Sequence, residues 1–215
     1  MRNMVKAALG RAGVVAAVLL ALIAFAPQAE ALVANGGAIS YFGSGDVTIT
    51  FLESNAAFRS YLVLYTASDL ATVLTPPGTP CGGCPTGGIF NSDTTPLGST
   101  FVLTEAFLQA HFGAADEMVF AIQVDQDING SIDRIYYMGA AGRNPDGLTH
   151  NDTQPGGPNL AIVGFEDIFG GGDLDFNDHV FSFFPVIIAP NPGGLLLVGV
   201  GLLGFALADW KRRRR

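Results

Sequence analysis

Two stretches of this sequence concentrate oxygen ligands. In GFEDIFGGGDLDFNDHVFSF (164–183), Glu166, Asp167, Asp173, Asp175, Asn177 and Asp178 fall within 13 positions, with no Lys or Arg among them. Like charges this close repel, and a fold tolerates them on a solvated surface or around a cation. Gly170, Gly171 and Gly172 stand between the two acidic groups. Three glycines let the backbone fold back at positive φ and bring those groups together. Phe165, Phe176 and Phe181 offer apolar anchors on either side. The expected product is a rigid acidic pocket at the start of a core strand. Calcium is the hard cation that takes several oxygen ligands, so the spacing predicts a structural calcium site.

The second stretch is VDQDINGSIDRI (124–135), in which Asp125, Asp127, Asn129, Gly130 and Asp133 form D-x-D-x-N-G-x-x-D. Alternate oxygen-bearing positions on a tight loop can point at one ion, and Gly at the sixth position allows the turn. The pattern fits the early positions of an EF-hand but has Tyr136 where the bidentate Glu belongs, and its flanks read as strands. It is therefore not an EF-hand. Two readings stand: a strand-loop-strand calcium loop, or an Asn-Gly hairpin turn with solvated acids.

The remaining reactive residues are few. Cys81 and Cys84 are the only cysteines, in the Pro/Gly-dense connection TPPGTPCGGCPTGG (75–88). A thioredoxin-like setting is missing, and so is the second cysteine pair of a zinc site. A small disulfide across an exposed loop, or two free thiols, is the expectation in an exported protein. His150 is a poor calcium ligand because calcium prefers oxygen, and His111 and His179 read as ordinary surface or core-edge residues. There is no G-x-S-x-G elbow. Acidic pairs are too abundant to single out a glycosidase carboxylate pair.

The elements that must position these residues read as β. GDVTITFL (45–52) alternates at period two, with Val47, Ile49 and Phe51 on one face. RSYLVLYT (59–66), EMVFAIQV (117–124), IDRIYYM (132–138), LAIVGF (160–165) and HVFSFFPVII (179–188) are rich in β-branched and aromatic residues. TEAFLQAHF (104–112) is the one expected helix, with Thr104 as N-cap. The fold class predicted is all-β: a single antiparallel sandwich-like domain with one short helix.

The ends read as targeting segments. Residues 1–31 carry Arg2, Lys6 and Arg11, an apolar run and AEA at 29–31, the pattern of a cleaved secretory signal peptide. Residues 193–208 are apolar or Gly, followed by Trp210 and five basic residues at 211–215. This predicts a short transmembrane segment with the body of the protein outside. Between the ends, residues 32–190 hold 17 acidic residues against Arg59, Arg134 and Arg143, a net of −14. That excludes a basic nucleic-acid footprint and favours cations, or a well-solvated exported surface.

Two resemblances complete the reading. GFEDIFGGGDLDFNDHVF is similar to the signature of the domain-of-unknown-function family 4114. NPDGLTH (144–150), DEMVFAI (116–122) and SYLVLY (60–65) resemble further elements of that family, over about residues 40–184. It implies a β-rich extracellular bacterial module and no reaction. The tail at 190–215, with Pro190, Asn191 and Pro192 ahead of the apolar stretch and the basic cluster, resembles the PEP-CTERM sorting signal, whose motif has Glu where Asn191 stands. That implies processing by an exosortase-type enzyme and delivery to the cell surface or exopolysaccharide matrix. The function expected is that of a non-catalytic, calcium-stabilised surface or matrix protein. A calcium-dependent carbohydrate-binding or adhesive module is the alternative, and a glycoside hydrolase a remoter one.

Overall fold

A computed structural model of the chain describes residues 36–189, apart from 80, 82, 83 and 86. The expected signal peptide, Pro190–Pro192 and segment 193–208 lie outside the described residues. Among the described residues, no helix is long and apolar enough to cross a membrane.

The described residues form twelve strands and one α-helix, in the order β1 (Ala38–Ser40), β2 (Val47–Ser54), β3 (Arg59–Thr66), β4 (Asp69–Leu74), β5 (Phe90–Asn91), β6 (Thr100–Leu103), α1 (Glu105–His111), β7 (Glu117–Asp125), β8 (Arg134–Tyr137), β9 (Asn151–Gly157), β10 (Leu160–Phe165), β11 (His179–Phe184) and β12 (Ile187–Ala189). They build two antiparallel sheets. One runs β12-β1-β7-β3-β4, with β8 also paired to β7 and β5 to β3. The other runs β6-β2-β11-β10-β9.

The sheets pack face to face through aromatic residues. Phe120 of β7 meets Phe183 of β11 with ring centroids 4.5 Å apart. Phe90 of β5 stacks near Phe181 of β11 at 6.0 Å. On β2, Val47, Ile49 and Phe51 are buried while Thr48 and Thr50 are only half-buried, the alternation expected of a strand with one face inward. Strand β7 is buried along nearly its whole length because β3 pairs with one of its edges and β1 and β8 with the other. The helix starts where Thr104 Oγ1 accepts from the Phe107 N–H, and it buries Phe107 and Leu108.

One predicted strand is divided. The run HVFSFFPVII is not a single element: β11 ends at Phe184, and Pro185 follows through a cis peptide bond. The chain then crosses to the other sheet, where β12 pairs with β1, Ile188 opposite Ile39. Pro cannot donate to a ladder, so it stands between the strands and in neither.

The topology sets the two acidic stretches in the loops that follow β7 and β10. The first joins β7 to β8, which pair as a hairpin with Val124 opposite Arg134. The second joins β10 to β11, with Phe165 opposite His179.

Candidate metal centre

The loop between β10 and β11 separates the six predicted ligands. Glu166, Asp173 and Asp175 each offer a carboxylate oxygen within 4.8 Å of the others. Asp173 and Asp175 are exposed, whereas Glu166 is only 1% exposed. Glu166 Oε1 accepts from the Phe176 N–H at 2.8 Å. Its Oε2 is buried with no hydrogen-bond partner. Burial pushes the Glu166 carboxyl up, and the charges of Asp173 and Asp175 push it the same way.

The loop shapes itself around this carboxylate. Gly172 has φ +54°, and a Cβ there would run into Glu166 Oε2, so no side chain fits. Leu174 and Phe176 adopt φ 63° and 54°, left-handed values unusual for residues with side chains. Phe176 is 5% exposed, and its carbonyl lies where a Cβ on Gly164 would project. Asn177 donates from its backbone N–H to Asp175 Oδ1 and from Nδ2 to Asp175 Oδ2, so its amide braces Asp175.

Asp167 and Asp178 turn the other way, into the protein. Asp167 is fully buried. Its N–H donates to Asp178 Oδ2 at 2.8 Å, and its Oδ2 accepts from the Phe58 N–H at 3.0 Å. Burial, then the charges of Asp167 and Glu166, push the Asp178 carboxyl up to about 7, against the pull of its bond from the Asp167 N–H.

A residue outside the acidic run secures the loop. Asp146 Oδ2 accepts from the Gly170 N–H at 2.9 Å and meets His150 Nε2 at 2.8 Å, while Oδ1 accepts from the Leu148 N–H. Burial alone would raise the Asp146 carboxyl, but these bonds outweigh it and hold the group below its ordinary value. The other nitrogen of His150, Nδ1, contacts the Glu166 carbonyl at 3.0 Å, and the ring stacks on Tyr136. With both nitrogens engaged, His150 braces the loop. The sequence signal for this was NPDGLTH, which places Asp146 and His150 four residues apart.

The loop between β7 and β8 also gathers three carboxylates, Asp125, Asp127 and Asp133, within 4.8 Å of one another. Here the acids already have partners. Asp125, fully buried, accepts from the Asn129 and Gly130 N–H groups at 3.0 and 2.9 Å, and Arg59 Nη1 lies 3.7 Å from its Oδ2. Asp133 Oδ2 accepts from the Gln126 N–H, and Asp127 Oδ2 from Asn129 Nδ2. Asn129 Oδ1 accepts from the Ser131 N–H. The connection is a hairpin, though residues 126–133 make it longer than a two-residue Asn-Gly turn. Both loops gather three carboxylates, but of the two only the Glu166 cluster contains a buried carboxylate oxygen without a partner.

A disulfide joins Cys81 and Cys84. The stretch from the end of α1 to the end of β11, which contains both acidic loops, decides the family comparison. Residues 113–184 match the family described as Domain of unknown function (DUF4114). The DUF4114 match therefore takes in the whole of GFEDIFGGGDLDFNDHVF, the signature on which the resemblance was read. No curated protein matches the chain. Among solved structures, the Chromobacterium violaceum lectin CV2L in complex with alpha-methyl-fucoside is 16% identical, with 68% of this chain and 93% of that chain covered. Its TM-score is 0.34, a likeness too distant to support any argument.

Proposed function

We propose that the DUF4114-like domain is a non-catalytic surface or matrix module stabilised by calcium, with Glu166, Asp173 and Asp175 as ligands. The observation that carries this reading is Glu166 Oε2, buried without a partner and facing two further carboxylates. A buried carboxylate left unpaired costs on the order of 1–3 kcal/mol or more. A divalent cation converts that cost into coordination and offsets the repulsion among the three charges. The donors are all oxygen, which suits calcium over softer metals.

The non-catalytic part of the proposal rests on how the acids are used. Asp146, Asp167 and Asp178 accept hydrogen bonds from backbone N–H groups of neighbouring loops, so their chemistry goes into holding the fold. Export rests on the sequence: the signal-peptide pattern at 1–31 and the PEP-CTERM-like tail at 190–215. We propose an exosortase-type enzyme as the processing partner, the cell surface or exopolysaccharide matrix as the destination, and transient anchoring by 193–208.

Thermal melting of the full chain purified in detergent, with calcium and with chelator, tests the calcium reading. At calcium a hundredfold above Kd the folded state gains about 2.7 kcal/mol. Identical melting curves in the two conditions would remove it.

A further inference from the structure

We propose that the same loop holds a second divalent cation, further inside the protein, on Asp167 and Asp178. The proposal shares its loop with the calcium reading above but uses other residues. Glu166 and Asp167 are neighbours just after β10, and their side chains meet different groups. Glu166 faces Asp173 and Asp175, while Asp167 faces Phe58 and His179.

Three observations indicate that the inner pair lacks a component. Asp167 is fully buried, yet its Oδ1 has no hydrogen-bond partner. The second carboxylate, Asp178, is 8% exposed and sits against Asp167, tied to it through the Asp167 N–H. His179 is 1% exposed, and its Nε2 is also unpartnered, 3.8 Å from Asp167 Oδ2 and beyond hydrogen-bond reach. Two buried carboxylates side by side need a compensating positive charge. The arginines with salt bridges spend them elsewhere: Arg59 on Asp93 and Asp125, and Arg143 on Glu117. Arg134 lies over the Phe169 ring.

A divalent cation between Asp167 Oδ1 and Asp178 supplies that charge and takes up the orphan oxygen. Its remaining positions would be filled by water, which can also reach His179 Nε2. The donors are carboxylate oxygens, so the ion class is hard and divalent, and calcium is the probe. A proton shared between the two carboxyls is the competing way to relieve their repulsion, and ion counting separates the two.

The test is native mass spectrometry, with calorimetry, of the full chain titrated with calcium alone. Two ions are expected in the wild type. Asp167→Asn is expected to leave one ion and keep the Phe58 N–H bond, because the amide oxygen can still accept it. Glu166→Gln is expected to leave one ion as well, the inner one, and the double variant none. Should Asp167→Asn fail to fold, Asp178→Asn serves in its place. A single ion that survives Asp167→Asn and disappears with Glu166→Gln overturns the inner site and spares the outer. The reverse pattern overturns the outer site alone. No ion in the wild type overturns both. Two ions retained in both Asp167→Asn and Asp178→Asn also refute the inner placement.

Discussion

Replacing Glu166 with Gln should stabilise the protein without calcium and destabilise it with calcium. In the absence of an ion, Glu166 holds its charge within 4.8 Å of the carboxylates of Asp173 and Asp175. Two unit charges at about that separation repel by roughly 1 kcal/mol in a water-like dielectric and by several times that at an effective dielectric of about 20. Asp173 and Asp175 are exposed, so the water-like end applies, with about 2 kcal/mol for the two pairs together. Gln is nearly isosteric. Its oxygen can keep the bond from the Phe176 N–H, and its Nε2 takes the place of the unpartnered Oε2 and donates toward the acids. For a domain of this size each kcal/mol moves the melting temperature by about 2–4 °C. In chelator the variant should therefore melt roughly 4–8 °C above the wild type. In calcium at a hundredfold above Kd the outer ion gives the wild type about 2.7 kcal/mol that the variant lacks. Scanning calorimetry of both proteins in both conditions should show the order of melting reversing. A variant that melts lower in both conditions would show that Glu166 is a structural acid with no unmet charge. Equal calcium shifts in the two proteins would show that the ion binds elsewhere.

Two further outcomes follow from the surrounding residues. Asp146→Ala removes the bonds to Gly170, Leu148 and His150, which should cost about 2–4 kcal/mol in a denaturant titration and weaken calcium binding by loosening the 168–174 turn. In chelator, stability should fall as pH rises from about 4 to about 7: Asp178, ordinarily at 3.8 and pushed up to about 7 in the folded protein, keeps a proton there that the unfolded chain has released. Asp178→Asn should flatten that slope in melting temperatures taken across the range, and an unchanged slope would mean that another group sets it.

Much of the scaffold was legible because it obeys local rules. The Thr104 cap, the alternation of Val47, Ile49 and Phe51, and the buried run of β7 each follow from a period or a capping residue. Strand β4, DLATVL, escaped because its face is only partly buried and leaves no strong apolar period. The run around Pro185 misled because one hydrophobic stretch serves two sheets, and which partner each half meets is settled by tertiary packing. The acidic run was legible as a cluster of carboxylates in composition but not in arrangement. Six acids and amides so close suggest a single pocket, while the fold sets Glu166 with Asp173 and Asp175 and turns Asp167 inward beside Asp178. The support from Asp146 lies 24 positions from Gly170, a separation that no local pattern bridges.

The backbone of the D-L-D-F-N-D segment bears on how tightly the proposed centre would bind an ion. Left-handed φ values at Leu174 and Phe176 cost on the order of 1–3 kcal/mol each, and such conformations persist only where the surroundings over-determine them. Here protein contacts supply that support. Phe176 is buried, its N–H is held by Glu166 Oε1, and its carbonyl fits against Gly164, where no Cβ intervenes. Asn177 fixes Asp175 from one side, and Asp146 fixes Gly170 from the other. Contacts within the fold therefore help to bring the carboxylates together. The more of that cost the fold itself carries, the less an ion would have to offset on binding. The same reasoning explains why Glu166, alone among the three acids, is buried. It serves the turn through Oε1, while Oε2 stays buried without a hydrogen-bond partner, so on the proposed reading the residue that closes the loop is also the one a cation would relieve.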